Sequence, residues 1–133
     1  MEMNQLPNNN PTFIQQLIPQ RSPIIMVDTI LAYEEMKVVG GLTIKEESIF
    51  VNNNELQEPG ILEHMAQTVA LYTGYQYYIN QMQAPTGYIG SMKSIEIVRL
   101  PKLNEQLITT ATILHEVMGV TLVDIETFCQ NEL

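Results

Sequence analysis

Cysteine is almost absent: Cys129 stands alone in 133 residues, so no disulfide forms within the chain and a reducing cytoplasm is the expected setting. Basic residues are scarce too. Six Lys and Arg face fifteen Asp and Glu, for a formal charge of −9. A nucleic-acid partner needs a basic face to neutralise phosphates, and this balance argues against one. No apolar run approaches the ~20 residues that span a bilayer, so no membrane partner is expected. The polar start, Met1 to Asn10, has neither the basic nor the apolar region of a secretory signal. There is no glycine-rich phosphate loop and no Gly-x-Ser-x-Gly elbow. The two histidines, His64 and His115, lack a short ligand spacing, so neither metal nor cofactor is expected.

What is present is enough for one core. Hydrophobic residues make up 45% of the chain, which fits a single packed domain. Residues 1–10 read as a flexible lead-in and 11–133 as the domain. Pro11 suits the first turn of a short helix, Thr12–Ile18, which Pro19 ends. Ile24–Tyr33 and Lys37–Ile44 read as strands, joined at Glu34-Glu35, with Gly40-Gly41 marking a bulge or bend. Asn52-Asn53-Asn54 is a turn signal. One long helix runs from Gly60 to about Asn80. Leu62, Met65, Ala66, Val69, Ala70 and Thr73 mark its expected packed face, and Ala66, Ala70 and Gly74 form a stripe of small residues for close approach of another layer. Tyr72, Tyr75, Tyr77 and Tyr78 read as packing or interface residues. Three further strands are expected: Tyr88–Leu100, Gln106–Val117 and Thr121–Cys129, the last two joined at Met118-Gly119. Strands on both sides of one helix imply an α+β fold, an antiparallel sheet covering a central helix. The last strand leaves a sheet edge for another chain or a further strand to cover.

The chemistry gathers at Glu58-Pro59-Gly60-Ile61-Leu62-Glu63-His64-Met65-Ala66-Gln67. A helix that only filled a core would not carry an acid there, because burying an unpaired polar group costs roughly 2–7 kcal/mol. The helix N-terminus favours a polarised carbonyl, and Gly60 lets a substrate oxygen approach closely. Glu63 is a candidate general acid or base. Gln67 lies one turn below it and can orient it or bind substrate. His64 points about 100° away, so the two ionisable groups are not assumed to form one acid–base pair within one chain, whereas across a dimer interface they could. The bland readings are a Glu that complements the helix dipole, a satisfied core histidine and a simple Asn turn. Asn54 is placed with Gly60 and Gln67 among the candidate substrate-binding residues, and Glu63 and His64 are the catalytic candidates. His115 and Cys129 have no evident partner.

These residues resemble a known family. Leu17-Ile18-Pro19-Gln20-Arg21-Ser22-Pro23 through Val27-Asp28 is similar to the Leu-Pro-His-Arg-x-Pro…Val-Asp opening of 3-hydroxyacyl-[acyl-carrier-protein] dehydratases. Pro59-Gly60 with Glu63-His64-Met65-Ala66-Gln67 resembles their Pro-Gly…Glu-Ala-x-Ala-Gln helix, and Tyr88–Leu107 their strand with basic residues before a Pro turn. The resemblance runs from Leu17 to Cys129 and extends to the dehydratase-like proteins of aryl-polyene and flexirubin clusters. It implies a hotdog fold, a curved antiparallel sheet wrapped around one long central helix. It also implies a homodimer, or a heterodimer with a related hotdog subunit, acting on thioesters of acyl carrier protein. In the family a loop histidine takes the proton beside the thioester carbonyl, the helix Glu of the other subunit helps expel the hydroxyl as water, and the helix-start glycine N–H meets the thioester oxygen. Gly60, Glu63 and Gln67 match. The loop histidine does not: Phe50-Val51-Asn52-Asn53-Asn54 stands in its place, and the Pro-Gly to Glu spacing is two residues shorter. A lost base costs about 10²–10⁴-fold. Three outcomes are open: a dehydratase with His64 as base, a thioesterase with Glu63 activating water, or a non-catalytic acyl-binding or partner subunit. Lys93, Arg99 and Lys102 form a cationic group suited to docking an acidic carrier, or an ordinary solvated face.

Overall fold

Asn10 decides where the first helix begins. Its side chain accepts from the Thr12 N–H at 2.9 Å, and Pro11, which has no N–H to satisfy, takes the first helical position. The helix α1 runs Pro11–Leu17. It buries Phe13, Ile14 and Leu17, and it stops before Pro19 as the sequence requires. The computed structural model describes residues 5–81, 97, 99–117 and 120–131.

Among the described residues before α1, Asn8 and Leu6 are held to the rest of the fold. Asn8 exchanges both backbone hydrogen bonds with Ile30, at 3.0 and 3.1 Å, and Leu6 packs on the core.

Strands β1 (Thr29–Glu34) and β2 (Lys37–Thr43) form a hairpin over Glu35-Met36. Met36 takes a positive φ of 70° there, and its N–H donates to the Tyr72 hydroxyl at 3.2 Å. The expected strand from Ile24 starts later, because residues 24–28 are held by other partners. The bulge expected at Gly40-Gly41 falls on the opposite strand, between Ile30 and Ala32. Gly40 instead makes room for the long helix. A Cβ there would lie 2.9 Å from Thr68 Oγ1, so the bare backbone lets that helix settle on the sheet.

Val51–Asn52 (β3) and Glu55–Leu56 (β4) form a small hairpin whose central residues, Asn53 and Asn54, have φ of 54° and 64°. Two positive φ values in a two-residue turn are what Asn tolerates and most residues do not. The helix α2 follows as Glu58–Ile79. Strands β5 (Glu105–Val117) and β6 (Val120–Asn131) complete a four-stranded antiparallel sheet in the order β1-β2-β5-β6. Met118-Gly119 lies outside the described residues, as does most of the expected strand Tyr88–Leu100. Its described residues, 97, 99 and 100, are irregular rather than strand.

The packed face of α2 is not the one expected. Gly60, Ile61, His64, Gln67, Thr68, Leu71, Tyr72, Gly74 and Tyr75 are buried, whereas Leu62, Met65, Ala66, Val69, Ala70 and Thr73 are only half-buried. The side chains on both sides of this helix are mostly apolar, so periodicity alone did not reveal which side meets the sheet. The small-residue stripe acts at one end: a Cβ on Gly74 would fall 1.9 Å from the Leu17 carbonyl oxygen, so α1 crosses α2 there. Along α2 two apolar clusters follow one another. One holds Met26, Leu42, Ile44, Leu56, Ile61 and Leu107. The other includes Phe13, Leu17, Ile30, Val38, Leu71 and Tyr75, with Tyr33 stacked on Tyr72 and Phe13 edge-on to Tyr78. In the helix sequence, His64, Gln67 and Thr68 lie between the two sets.

Candidate active site

Gln67 organises the first turns of α2. It is fully buried. Its Oε1 accepts from the Met26 N–H at 2.6 Å, and its Nε2 donates to the Ile24 carbonyl at 3.0 Å and to Glu63 Oε2 at 2.8 Å. A side-chain amide has one acceptor oxygen and two N–H donors, and all are engaged. Gln67 therefore fixes the Glu63 carboxylate, on a half-buried residue, to the backbone of 24–26.

His64 faces elsewhere. It has no exposure, its Nδ1 lies 2.7 Å from the Met26 carbonyl oxygen and its Nε2 2.9 Å from Thr109 Oγ1. Burial pushes its pKa down to about 4 from 6.5, against the opposing pull of the Met26 carbonyl and of Asp28. Thr109 Oγ1 lies 2.7 Å from Thr127 Oγ1, so a chain of three polar side chains runs from α2 through β5 to β6. Thr109 and Thr127 escaped the sequence reading. The available signal was Thr109 inside the otherwise apolar inward row Leu107, Ala111 and Ile113 of β5.

The glycine at the helix start is committed as well. The Gly60 N–H donates to the Gln57 carbonyl at 2.9 Å, and a Cβ at Gly60 would meet Phe50 Cβ at 2.6 Å. The glycine admits the β3–β4 hairpin, where the sequence reading expected a substrate oxygen. Asn54 occupies that exposed hairpin tip, and its carbonyl accepts from the Leu103 N–H at 3.0 Å. Arg99 makes a two-pronged ion pair with Glu105, at 2.9 and 3.0 Å, and this hydrogen bonding holds the Glu105 carboxyl below its ordinary range. Lys102 is exposed, and its backbone N–H also donates to Glu105 at 2.7 Å. Lys93 lies outside the described residues. His115 is exposed on β5.

Beside α2 is a cavity of about 320 Å³, with Ile61, Met65, Leu107, Thr127 and Cys129 on its walls and Arg99 among its lining. That volume is at the small end for ligand pockets. Burial raises the pKa of the Cys129 thiol, which argues against a reactive thiolate. Glu63 does not line this cavity: at 100° per residue it sits about 160° around the helix from both Ile61 and Met65. Among the described residues no group of three or more His, Cys, Asp or Glu is placed to hold a metal, and no helix is long and apolar enough to cross a membrane.

The family model described as ApeP dehydratase, ApeP-like, matches residues 12–124. The chain belongs to the ApeP-like dehydratase family. The 3-hydroxyacyl-[acyl-carrier-protein] dehydratase FabZ of Latilactobacillus sakei is 30% identical over 138 aligned positions, covering 90% of this chain and 92% of that protein. Among solved structures, the dehydratase heterocomplex ApeI:P from Xenorhabdus doucetiae superposes with a TM-score of 0.82 at 15% identity, over 95% of this chain and 83% of the other. The PaaI protein of the E. coli phenylacetic acid degradation operon superposes with a TM-score of 0.59 at 19% identity, over 76% and 70%. Both show the fold: the central helix against an antiparallel sheet is the hotdog architecture that the motifs implied. In this ApeP-like chain the histidine next to Glu63 in the helix motif is the one sealed into the core.

Proposed function

We propose that this chain is a subunit of a 3-hydroxyacyl-thioester dehydratase, working on acyl chains held by an acyl carrier protein in fatty-acid or polyene-type biosynthesis. The observation that carries this reading is the Glu63 carboxylate, half-buried and aimed by Gln67. In the reaction a base removes the proton between the thioester carbonyl and the hydroxyl-bearing carbon. The C–O bond breaks, the hydroxyl takes a proton from the Glu63 carboxylic acid and leaves as water, and a carbon–carbon double bond remains. The thioester carbonyl carries the negative charge in between.

Two features support a site completed by a second hotdog subunit. The cavity and Glu63 lie on opposite flanks of α2, so the acid of one subunit serves an acyl chain bound against another. The general base also has to come from elsewhere, since His64 has both ring nitrogens engaged inside the core and residues 50–54 contain no histidine. A second copy would bring no loop histidine, so the partner that completes the site is a related hotdog subunit that keeps it. The likeness to one half of a dehydratase heterocomplex, ApeI:P, supports this. Carrier docking falls to Lys102 and Arg99, with Lys93 a third candidate, and a reducing cytoplasm is the proposed setting.

The test is conversion of a 3-hydroxyoctanoyl thioester of acyl carrier protein to the enoyl product, followed by chromatography. The chain is assayed alone and with a histidine-bearing hotdog subunit. Activity is expected in the mixture, and Glu63→Gln should lower it about 10²–10⁴-fold. The missing loop histidine favours a second reading, a subunit that only holds the acyl chain. Undiminished turnover by E63Q in the mixture would decide for that reading. Release of free thiol without enoyl product would decide for a thioesterase.

A further inference from the structure

The three-residue chain from His64 to the cavity has only one consistent direction. A carbonyl oxygen accepts and never donates, so the contact at Met26 O fixes the proton on His64 Nδ1. The imidazole is neutral inside the core, so Nε2 is left as an acceptor, and Thr109 must donate its hydroxyl proton to it. Thr109 Oγ1 can then only accept along the chain, so Thr127 donates to Thr109. The single hydroxyl proton of Thr127 is thereby committed. What Thr127, a cavity-lining residue, has left to offer is oxygen lone pairs.

We propose that Thr127 Oγ1 is a hydrogen-bond acceptor that selects a hydroxyl-bearing acyl chain in the cavity between α2, β5 and β6, with Thr109 and His64 as the positioning residues that set its direction. The proposal rests on the reading that this chain takes acyl thioesters, and it names the group by which it tells them apart. The cavity wall carries the apolar Ile61, Met65 and Leu107, and the Arg99 in its lining is already paired with Glu105. A ligand hydroxyl at that place gains a partner. A ketone oxygen meets lone pairs facing lone pairs, and a methylene leaves the acceptor unpaired. Held this way, the substrate hydroxyl gives its hydrogen to Thr127, and its own lone pairs stay available for the proton that makes it a leaving group.

The experiment measures equilibrium binding of three pantetheine thioesters: 3-hydroxyoctanoyl, octanoyl and 3-oxooctanoyl. The E63Q chain prevents turnover, and any hotdog subunit that co-purifies is kept. The expected result is a preference of about tenfold for the hydroxy compound over both others, the size of one good hydrogen bond. Adding Thr127→Val, which keeps the shape and removes the oxygen, should bring the three within about twofold of one another. Thr127→Ser should restore the order. Thr109→Val frees the Thr127 proton, and binding of the oxo compound should then rise relative to the hydroxy compound. Equal binding of all three in the E63Q chain, or an unchanged preference in T127V, overturns the proposal while leaving the acyl-thioester reading standing. Absence of binding by every thioester overturns both. If T127V does not fold, the ligand series on the parent chain and on T127S still decides.

Discussion

A histidine sealed from water with both nitrogens engaged makes the fold depend on pH in a stated direction. The folded pKa of His64, about 4, lies below the ordinary 6.5, so the unfolded chain takes up the proton first as pH falls. The stability contributed by the neutral ring is fully present above pH 6.5 and is lost progressively toward pH 4, by about 3 kcal/mol in all. Urea denaturation at about pH 7.5 and about pH 5 checks this: the wild type should lose more stability between the two than His64→Asn. Equal losses would show that the ring is not held neutral. Part of this residue was legible in the sequence. An ionisable pair inside an apolar helix drew attention to Glu63 and His64, and the helical 100° step kept them from being read as one acid–base couple. That His64 turns to β5 was not legible, because its partners, Met26 O and Thr109, lie 38 and 45 residues away along the chain. Gly60 teaches the same lesson: its lack of a side chain was visible, but the hairpin residues that need the space, Phe50 and Leu56, become its neighbours only after folding.

Among elements, the junction of α1 with α2 is the most tightly specified. The Leu17 carbonyl would be 1.9 Å from a Cβ at position 74, so Gly74→Ala forces the two helices apart. The expected cost is about 3 kcal/mol, at the upper end for overpacking, read as a lower denaturation midpoint. A midpoint within the error of wild type would show that α1 can move aside freely. The small-residue stripe foretold a close approach but not its partner. The element boundaries followed local chemistry: the Asn10 cap, the stop at Pro19 and the paired Asn turn each stand where short-range rules put them. Ile24–Asp28 departed from them. The run looks like the start of a strand, yet Gln67 claims the Ile24 carbonyl and the Met26 N–H, a competition that no local pattern reveals.

For the whole molecule, the half-buried side of α2 matters most. Leu62, Ala66 and Thr73 turn away from the sheet, while β6 leaves Leu122 and Phe128 more than half exposed. The shared site proposed above needs a second subunit against this side of α2. Ala66→Arg should therefore yield a folded chain of about its own 15.1 kDa in light scattering, where the wild type gives at least twice that mass. A wild type that runs as a single chain, alone and with a hotdog partner, would remove the ground for a shared site. The family motifs made the hotdog fold legible as a whole, since the Leu17-Ile18-Pro19 opening and the Pro59-Gly60 to Gln67 helix motif follow in the family's order. The orientation of the helix on the sheet was not legible, because both of its sides are rich in apolar residues and only the sheet determines which one is covered.

The aromatic cluster has an optical consequence. The chain contains no tryptophan, and Tyr33, Tyr72, Tyr75 and Tyr78 are gathered with Phe13 around the α1–α2 junction. No tyrosine is among the described residues lining the cavity. Among the described residues, the near-ultraviolet signal of these tyrosines is therefore concentrated at the α1–α2 junction. Those four tyrosines register the docking of α1, and a tryptophan introduced near the cavity would report on binding against a background free of tryptophan.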